Sequence, residues 1–172
     1  MRIRQLTPLD ARKYWDLRLI ALKTEPEAFL TTYEEALEKE NPIEEYKESF
    51  QSEDIFTFGA FEEEELFGVV TLMRDKPIKL RHRANIVAMY VDPEKRGAGV
   101  GKSLLMEAIR FAKRLGDIEQ IHLTVNAYNR LAKKLYTDVG FDIYAFEKKA
   151  IKFNGIYSDE EHLILFLKEE IQ

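Results

Sequence analysis

The sequence predicts an α/β fold of the α+β kind, with elements in the order β-α-α-β-β-β-α-β-α-β-β. Three observations predict it. Apolar residues recur at helical spacing in two places, at Ala11, Trp15, Leu19 and Leu22 and along Leu104 to Leu115. They alternate with period two at Phe56, Phe58 and Ala60 and again at Ile121, Leu123 and Val125. Between these patterns Ile86 to Val91 is almost wholly apolar, which predicts a central strand covered on both faces.

Each element has a local reason. Arg2 to Leu6 reads as a first strand. Thr7-Pro8-Leu9-Asp10 is a helix start, with a hydroxyl cap, proline at the first helical position and an acid in the first turn. A second helical stretch covers about 31–40, and Asn41-Pro42 interrupts it and starts another, with Ile43, Tyr46 and Phe50 on its apolar side. Strand character begins at Asp54. Glu62 to Glu65 is the tip of a hairpin whose return strand is Leu66 to Met73. Four consecutive acids point in divergent directions and cannot enclose one ion, so no metal site is expected there. Arg74 to Arg83 is a basic connector. Gly116 ends the helix that closes at Leu115, and Gly140 caps one lined by Leu131, Ala132, Leu135 and Val139. Two strands, about 141–148 and 161–167, complete the order, joined by a loop at 153–159 whose turn residues are Asn154 and Gly155.

Composition narrows the class. A chain of 172 residues is expected to form one domain, 1–172, with a real core. It is 45% hydrophobic and 33% charged, the balance of a globular protein. There is no cysteine, hence no disulfide framework and no thiolate chemistry. A net charge of −5 argues against a nucleic-acid footprint and is compatible with a cationic amine as partner. No apolar run is long enough for a membrane helix, and Met1-Arg2-Ile3-Arg4 lacks the apolar core of a signal peptide, so a cytoplasmic protein is expected.

The segment richest in chemistry is Val91-Asp92-Pro93-Glu94-Lys95-Arg96-Gly97-Ala98-Gly99-Val100-Gly101. Alternate glycines leave backbone N–H groups uncovered, and the following helix adds its own free N–H groups and positive dipole end. Together they suit a phosphate or pyrophosphate. Spacing tests the ligand. A nucleotide P-loop needs glycine at 96, where Arg96 stands, and a dinucleotide fingerprint needs glycine at 102, where Lys102 stands. A nucleotide-dependent phosphotransferase is disfavoured on both counts.

Arg96, Gly99 and Gly101 fit the pattern Arg/Gln-x-x-Gly-x-Gly/Ala. Met89-Tyr90-Val91-Asp92-Pro93 precedes it. Asn126-Ala127-Tyr128-Asn129-Arg130-Leu131-Ala132, then Leu135-Tyr136 and Gly140-Phe141, follow. In order and separation these resemble the two cofactor motifs of the GNAT superfamily of acetyl-CoA-dependent N-acetyltransferases. The resemblance is firm over about 55–167 and looser before it. It implies a GNAT-like mixed, splayed central β-sheet flanked by helices, with acetyl-CoA wedged at the splay as co-substrate. It implies that the main chain of Met89, Tyr90 and Val91 pairs with the pantetheine arm as an added strand would. Arg96, Gly97, Ala98, Gly99, Val100, Gly101 and Lys102 would hold the pyrophosphate, Arg96 as a charged donor or as a brace for the loop. Asn129 would donate to the pantetheine or cap its helix.

Tyr136, two turns beyond Asn129, would give a proton to the departing thiolate, so it is the catalytic residue expected. No metal is expected. A base is also needed, because an alkyl amine with a pKa of about 10.4 is protonated at neutral pH. The central strand has no carboxylate. Glu25, Glu27 and Glu34, with His82 and His122, are the residues that could serve, and none is singled out. The resemblance further implies that the 153–159 loop closes over the acceptor site, with Tyr157 the residue to watch, and that the chain can form a homodimer. The expected activity is transfer of an acetyl group to a primary amine of a small molecule or peptide by direct attack in a ternary complex. The alternative is a non-catalytic acyl-CoA-binding module of the same fold.

Overall fold

The computed structural model describes residues 1–167, so 168–172 of the expected single domain lie outside the described residues. The strands are β1 (Arg2–Gln5), β2 (Ile55–Glu62), β3 (Glu65–Arg74), β4 (Arg83–Val91), β5 (Gln120–Asn126), β6 (Asp142–Phe153) and β7 (Ile156–Phe166). The helices are α1 (Ala11–Thr24), α2 (Tyr33–Leu37), α3 (Pro42–Ser49), α4 (Val100–Leu115) and α5 (Arg130–Val139). One sheet runs in the order β1-β2-β3-β4-β5-β7-β6. Every neighbouring pair is antiparallel except β4 with β5. The expected mixed sheet flanked by helices is therefore what the chain adopts.

The helices divide between the two faces. On one, α4 buries Leu104, Leu105, Ala108 and Ala112 completely against Phe58, Val70, Leu72 and Ile121 of the sheet. Each such leucine contributes about 1.5–3 kcal/mol relative to exposure. On the other face α1 packs Tyr14 against Tyr46 and Phe50, with ring centroids 4.6 and 5.3 Å away. The entry to α1 is fixed by Asp10, whose carboxylate accepts from the Thr7 N–H at 2.8 Å and from both Arg4 terminal nitrogens at 2.7 Å. The Arg4 hydrogen bonds, aided by those from Thr7 and opposed by burial, bring the Asp10 pKa down to about 2.

Three expectations are corrected. The second helix is one turn and a half rather than 31–40: Thr32 caps its start, accepting from the Glu35 N–H at 3.1 Å, and Glu38 is its C-cap. The last two strands are longer than expected, and only Asn154 and Gly155 form the turn, both at positive φ (48° and 78°). The 153–159 loop is thus mostly ladder, with Phe153 opposite Ile156, Lys152 opposite Tyr157 and Ile151 opposite Ser158. Finally, β4 is not covered on both faces along its length: Val87 is exposed, and Ala88 and Met89 are half-buried.

Candidate active site

The site arises from a ladder that stops. β4 and β5 pair only over Arg83–Asn85 with Gln120–His122. Beyond that point β4 stays with β3 and β5 stays with β7, so the two strands part. The gap opens into a cleft of about 770 Å³ lined by Ile86 to Met89 on one side and Leu123 to Asn126 on the other. A bulge helps to aim it. Val69 faces Tyr90 and Thr71 faces Val87, which leaves two β4 residues opposite one of β3. Ala88 takes up the strain at a φ of 52°.

At one end of the gap stand Asn129 and Tyr136, both on the cleft wall. Asn129 caps α5, its Oδ1 accepting from the Ala132 N–H at 3.1 Å, which leaves its Nδ2 amide as a donor. Tyr136 is buried, and its hydroxyl reaches the Met89 sulfur at 3.5 Å. Burial pushes its pKa up to about 12, so the phenol holds its proton at neutral pH. The Met89 methyl group in turn lies 3.4 Å from where a Cβ on Gly101 would stand. One methionine thus links the end of α5 to the start of α4.

The glycine loop lies outside the cleft lining and forms its own cradle. Gly97 and Gly99 hold φ values of 85° and 75°, where an L side chain is strained, and a Cβ at either would meet nothing within 4 Å. Gly99 is the N-cap of α4. The first α-helical acceptor outside the helix is its carbonyl, taken by the Ser103 N–H at 3.0 Å, so the N–H groups of Val100, Gly101 and Lys102 are left for a ligand. Val100 anchors the loop from below, buried in the core, while Ala98 and Lys102 are exposed. An anion fits this donor set.

Arg96 is held by three contacts within the protein. Its Nε donates to the Val91 carbonyl at 2.9 Å, a terminal nitrogen pairs with Glu25 at 2.7 Å, and the guanidinium lies 5.8 Å from the Tyr90 ring centroid. The Tyr90 ring itself is buried toward α1, with its hydroxyl 3.2 Å from that of Thr24. On β4 the cleft lining ends at Met89, so neither Tyr90 nor Val91 is part of its wall.

Other expected residues fall in different places. Glu25 is the partner of Arg96, Glu27 lines the cleft, and Glu34 is exposed in α2. His82 precedes β4 and offers its carbonyl to the Glu119 and Gln120 N–H groups. His122 lines the cleft with Nε2 2.7 Å from the Gln120 side-chain oxygen, and burial pulls its pKa down. Tyr157 sits away from the cleft in β7, with the Lys149 and Lys152 amino groups 5.0 and 5.1 Å from its ring centroid. Glu160 and His162 also line the cleft, and the sequence reading named neither as a site residue. Their alternation on β7 was visible, but the strand was expected to begin only at Glu161.

Residues 20–141 match the acetyltransferase (GNAT) family. The chain belongs to that family, whose members use acetyl-CoA as co-substrate. Among relatives, it is 28% identical over 133 residues to a spermidine N(1)-acetyltransferase of Thermoplasma acidophilum, covering 77% of this chain and 78% of that protein. It is 36% identical over 75 residues to an uncharacterised N-acetyltransferase of Methanocaldococcus jannaschii, where the match covers 44% of this chain and spans only 31% of the relative. The fold matches that of a GNAT superfamily phosphinothricin acetyltransferase of Sinorhizobium meliloti, solved in complex with acetyl-CoA, with a TM-score of 0.79 at 19% identity over 96% of this chain and 87% of that one.

Proposed function

We propose that the chain is a single-domain N-acetyltransferase that moves an acetyl group from acetyl-CoA to a primary amine by direct attack in a ternary complex. The observation that carries this reading is the unpaired stretch of β4, ending at a phosphate-type cradle and overlooked by a buried tyrosine hydroxyl. The main chain of Met89, Tyr90 and Val91 would accept the pantetheine arm as a short added strand. The loop 97–102 would hold the pyrophosphate, and Arg96 would keep that loop against β4. Asn129 would steady the pantetheine through its free amide. Tyr136, kept protonated by burial, would donate to the sulfur as the thioester breaks.

The acceptor would enter from the side of α1 and the segment after it, where Arg18, Glu27 and Phe29 line the cleft. Spermidine, the acceptor in the name of the Thermoplasma relative, and a peptide with a free N-terminus are the first to test. Release of free thiol from acetyl-CoA that depends on one of these amines supports the reading. CoA binding without turnover across a broad amine panel would favour the acyl-CoA-binding module instead. A homodimer is supported by the exposed Ile143, Tyr144 and Phe146 on the edge strand β6, and sedimentation velocity would test it.

A further inference from the structure

The acetyl transfer proposed above needs a group that takes a proton from the incoming ammonium, and the cleft wall formed by β5, β7 and β6 offers one. On β7, Leu163 points into the core and Glu161 pairs with Lys133, so Glu160 and His162 share the opposite face. In register, Glu160 lies between Asn126 of β5 and Glu147 of β6, and His162 between Thr124 and Ala145. Glu147 and Glu160 are therefore direct cross-strand neighbours of like charge, an arrangement that destabilises a sheet. Donor atoms of Glu147, Glu160 and His162 all lie within 4.8 Å of one another. His162 is fixed at both nitrogens, by Glu147 at 2.9 Å and by the Thr124 hydroxyl at 3.4 Å. The Glu160 carboxylate has no hydrogen-bond partner among the described residues, yet the residue lines the cleft together with Tyr136.

We propose that Glu160 is the general base of the reaction, with His162, held by Glu147, as its close neighbour within 4.8 Å. The inference rests on the N-acetyltransferase reading. The ammonium gives one proton to a Glu160 carboxylate oxygen. The freed lone pair forms the N–C bond to the acetyl carbon, the C–S bond breaks, the sulfur takes a proton from Tyr136, and the second proton shed by the nitrogen restores the Tyr136 phenol. These last two transfers balance, so each turnover releases one proton to water, from Glu160. Burial, with a smaller push from Glu147 against the pull of His162, raises the Glu160 pKa and makes it a stronger base than an open carboxylate. Other charged or titratable groups on the cleft wall are Arg83 of β4, His122 of β5, Tyr144 of β6, and Arg18 and Glu27 of α1 and the segment after it.

The test is thiol release with spermidine and with an alanine-leading peptide as acceptors, measured across pH for the wild type, Glu160→Gln and Glu160→Asp. Glu160→Gln should lower kcat by about 10²–10⁴-fold and abolish the acidic limb of kcat/KM for the amine, with CoA affinity unchanged. Glu160→Asp keeps a carboxylate and should restore at least part of kcat together with the limb. His162→Gln should shift that limb without removing it. An unchanged pH profile in Glu160→Gln, or a change confined to KM, would overturn the assignment while leaving the N-acetyltransferase reading intact. A wild type that binds CoA but stays inactive across a broad panel of primary amines would remove that reading and this one together.

Discussion

Tyr136 carries the sharpest residue-scale expectation. Tyr136→Phe removes the hydroxyl and its contact with the Met89 sulfur but keeps the ring that packs edge-on to Phe141 at 6.1 Å. Stability and CoA affinity should change little, while kcat falls by about 10²–10⁴-fold where chemistry limits turnover. A rise in the amine KM alone, read from initial rates, would make the tyrosine a positioning group. This residue was legible because its neighbours Leu135, Gly140 and Phe141 form one short motif with it. Glu160 and His162 were not. Their meaning depends on Glu147 and Thr124, which lie thirteen and thirty-eight residues away and meet them only through the strand register. Arg96 was legible as part of the loop, but its partner Glu25 comes from the far end of α1.

At the scale of elements, the turn that joins β4 to α4 was readable in full, since alternate glycines, a capping position and a following apolar stripe are all local signals. Gly99→Glu tests it. The new side chain would place a negative charge over the free N–H groups of the first turn of α4, and a left-handed φ of 75° would cost about 1–2 kcal/mol. CoA affinity measured by calorimetry should fall by at least tenfold in a variant that still unfolds cooperatively. The bulge in β4 was not readable. Ile86 to Val91 looks like a continuous buried strand, and nothing in that string says that Ala88 adopts positive φ or that its neighbours face open space. Likewise β6 and β7 extend past their expected limits because each supplies the other's hydrogen bonds. Their polar, exposed sequences give no reason for strand beyond that partner.

For the whole molecule, the fold class and the element order from β2 onward followed from periodicity, and the splay from family likeness; between β1 and β2 the structure has three helices where the order had two. The single parallel contact that creates the splay has no signature in the chain. Stability against pH is a property at this scale. Asp10 has its folded pKa lowered to about 2, so its contribution is fully present above about 3.8 and is lost as pH falls toward 2. Tyr14 and Tyr136 have theirs raised to about 12 by burial, so their contribution holds below about 10 and fades as pH rises toward 12. Chemical denaturation followed over pH should show a broad plateau between these limits. In Asp10→Asn, which loses about 1–3 kcal/mol near neutrality, the fall on the acid side should flatten. Among the described residues no helix is long and apolar enough to cross a membrane.

The three-residue junction of β4 with β5 has a consequence for how the molecule stores its folding free energy. Where the strands part, the β5-facing peptide groups of 86–89 and the β4-facing groups of 123–126 have no neighbouring strand to pair with among the described residues. Anything that fills the gap completes the sheet and is counted in the stability of the native state. At a ligand concentration of one hundred times Kd that linkage amounts to about 2.7 kcal/mol. The added protection should not be spread evenly. In native-state hydrogen exchange with saturating CoA, amides of 86–91 and of the first turn of α4 should slow the most, while those of the β6–β7 hairpin beyond Glu147 should keep their rates. Uniform slowing across the sheet would mean that the two halves already behave as one unit without a ligand between them.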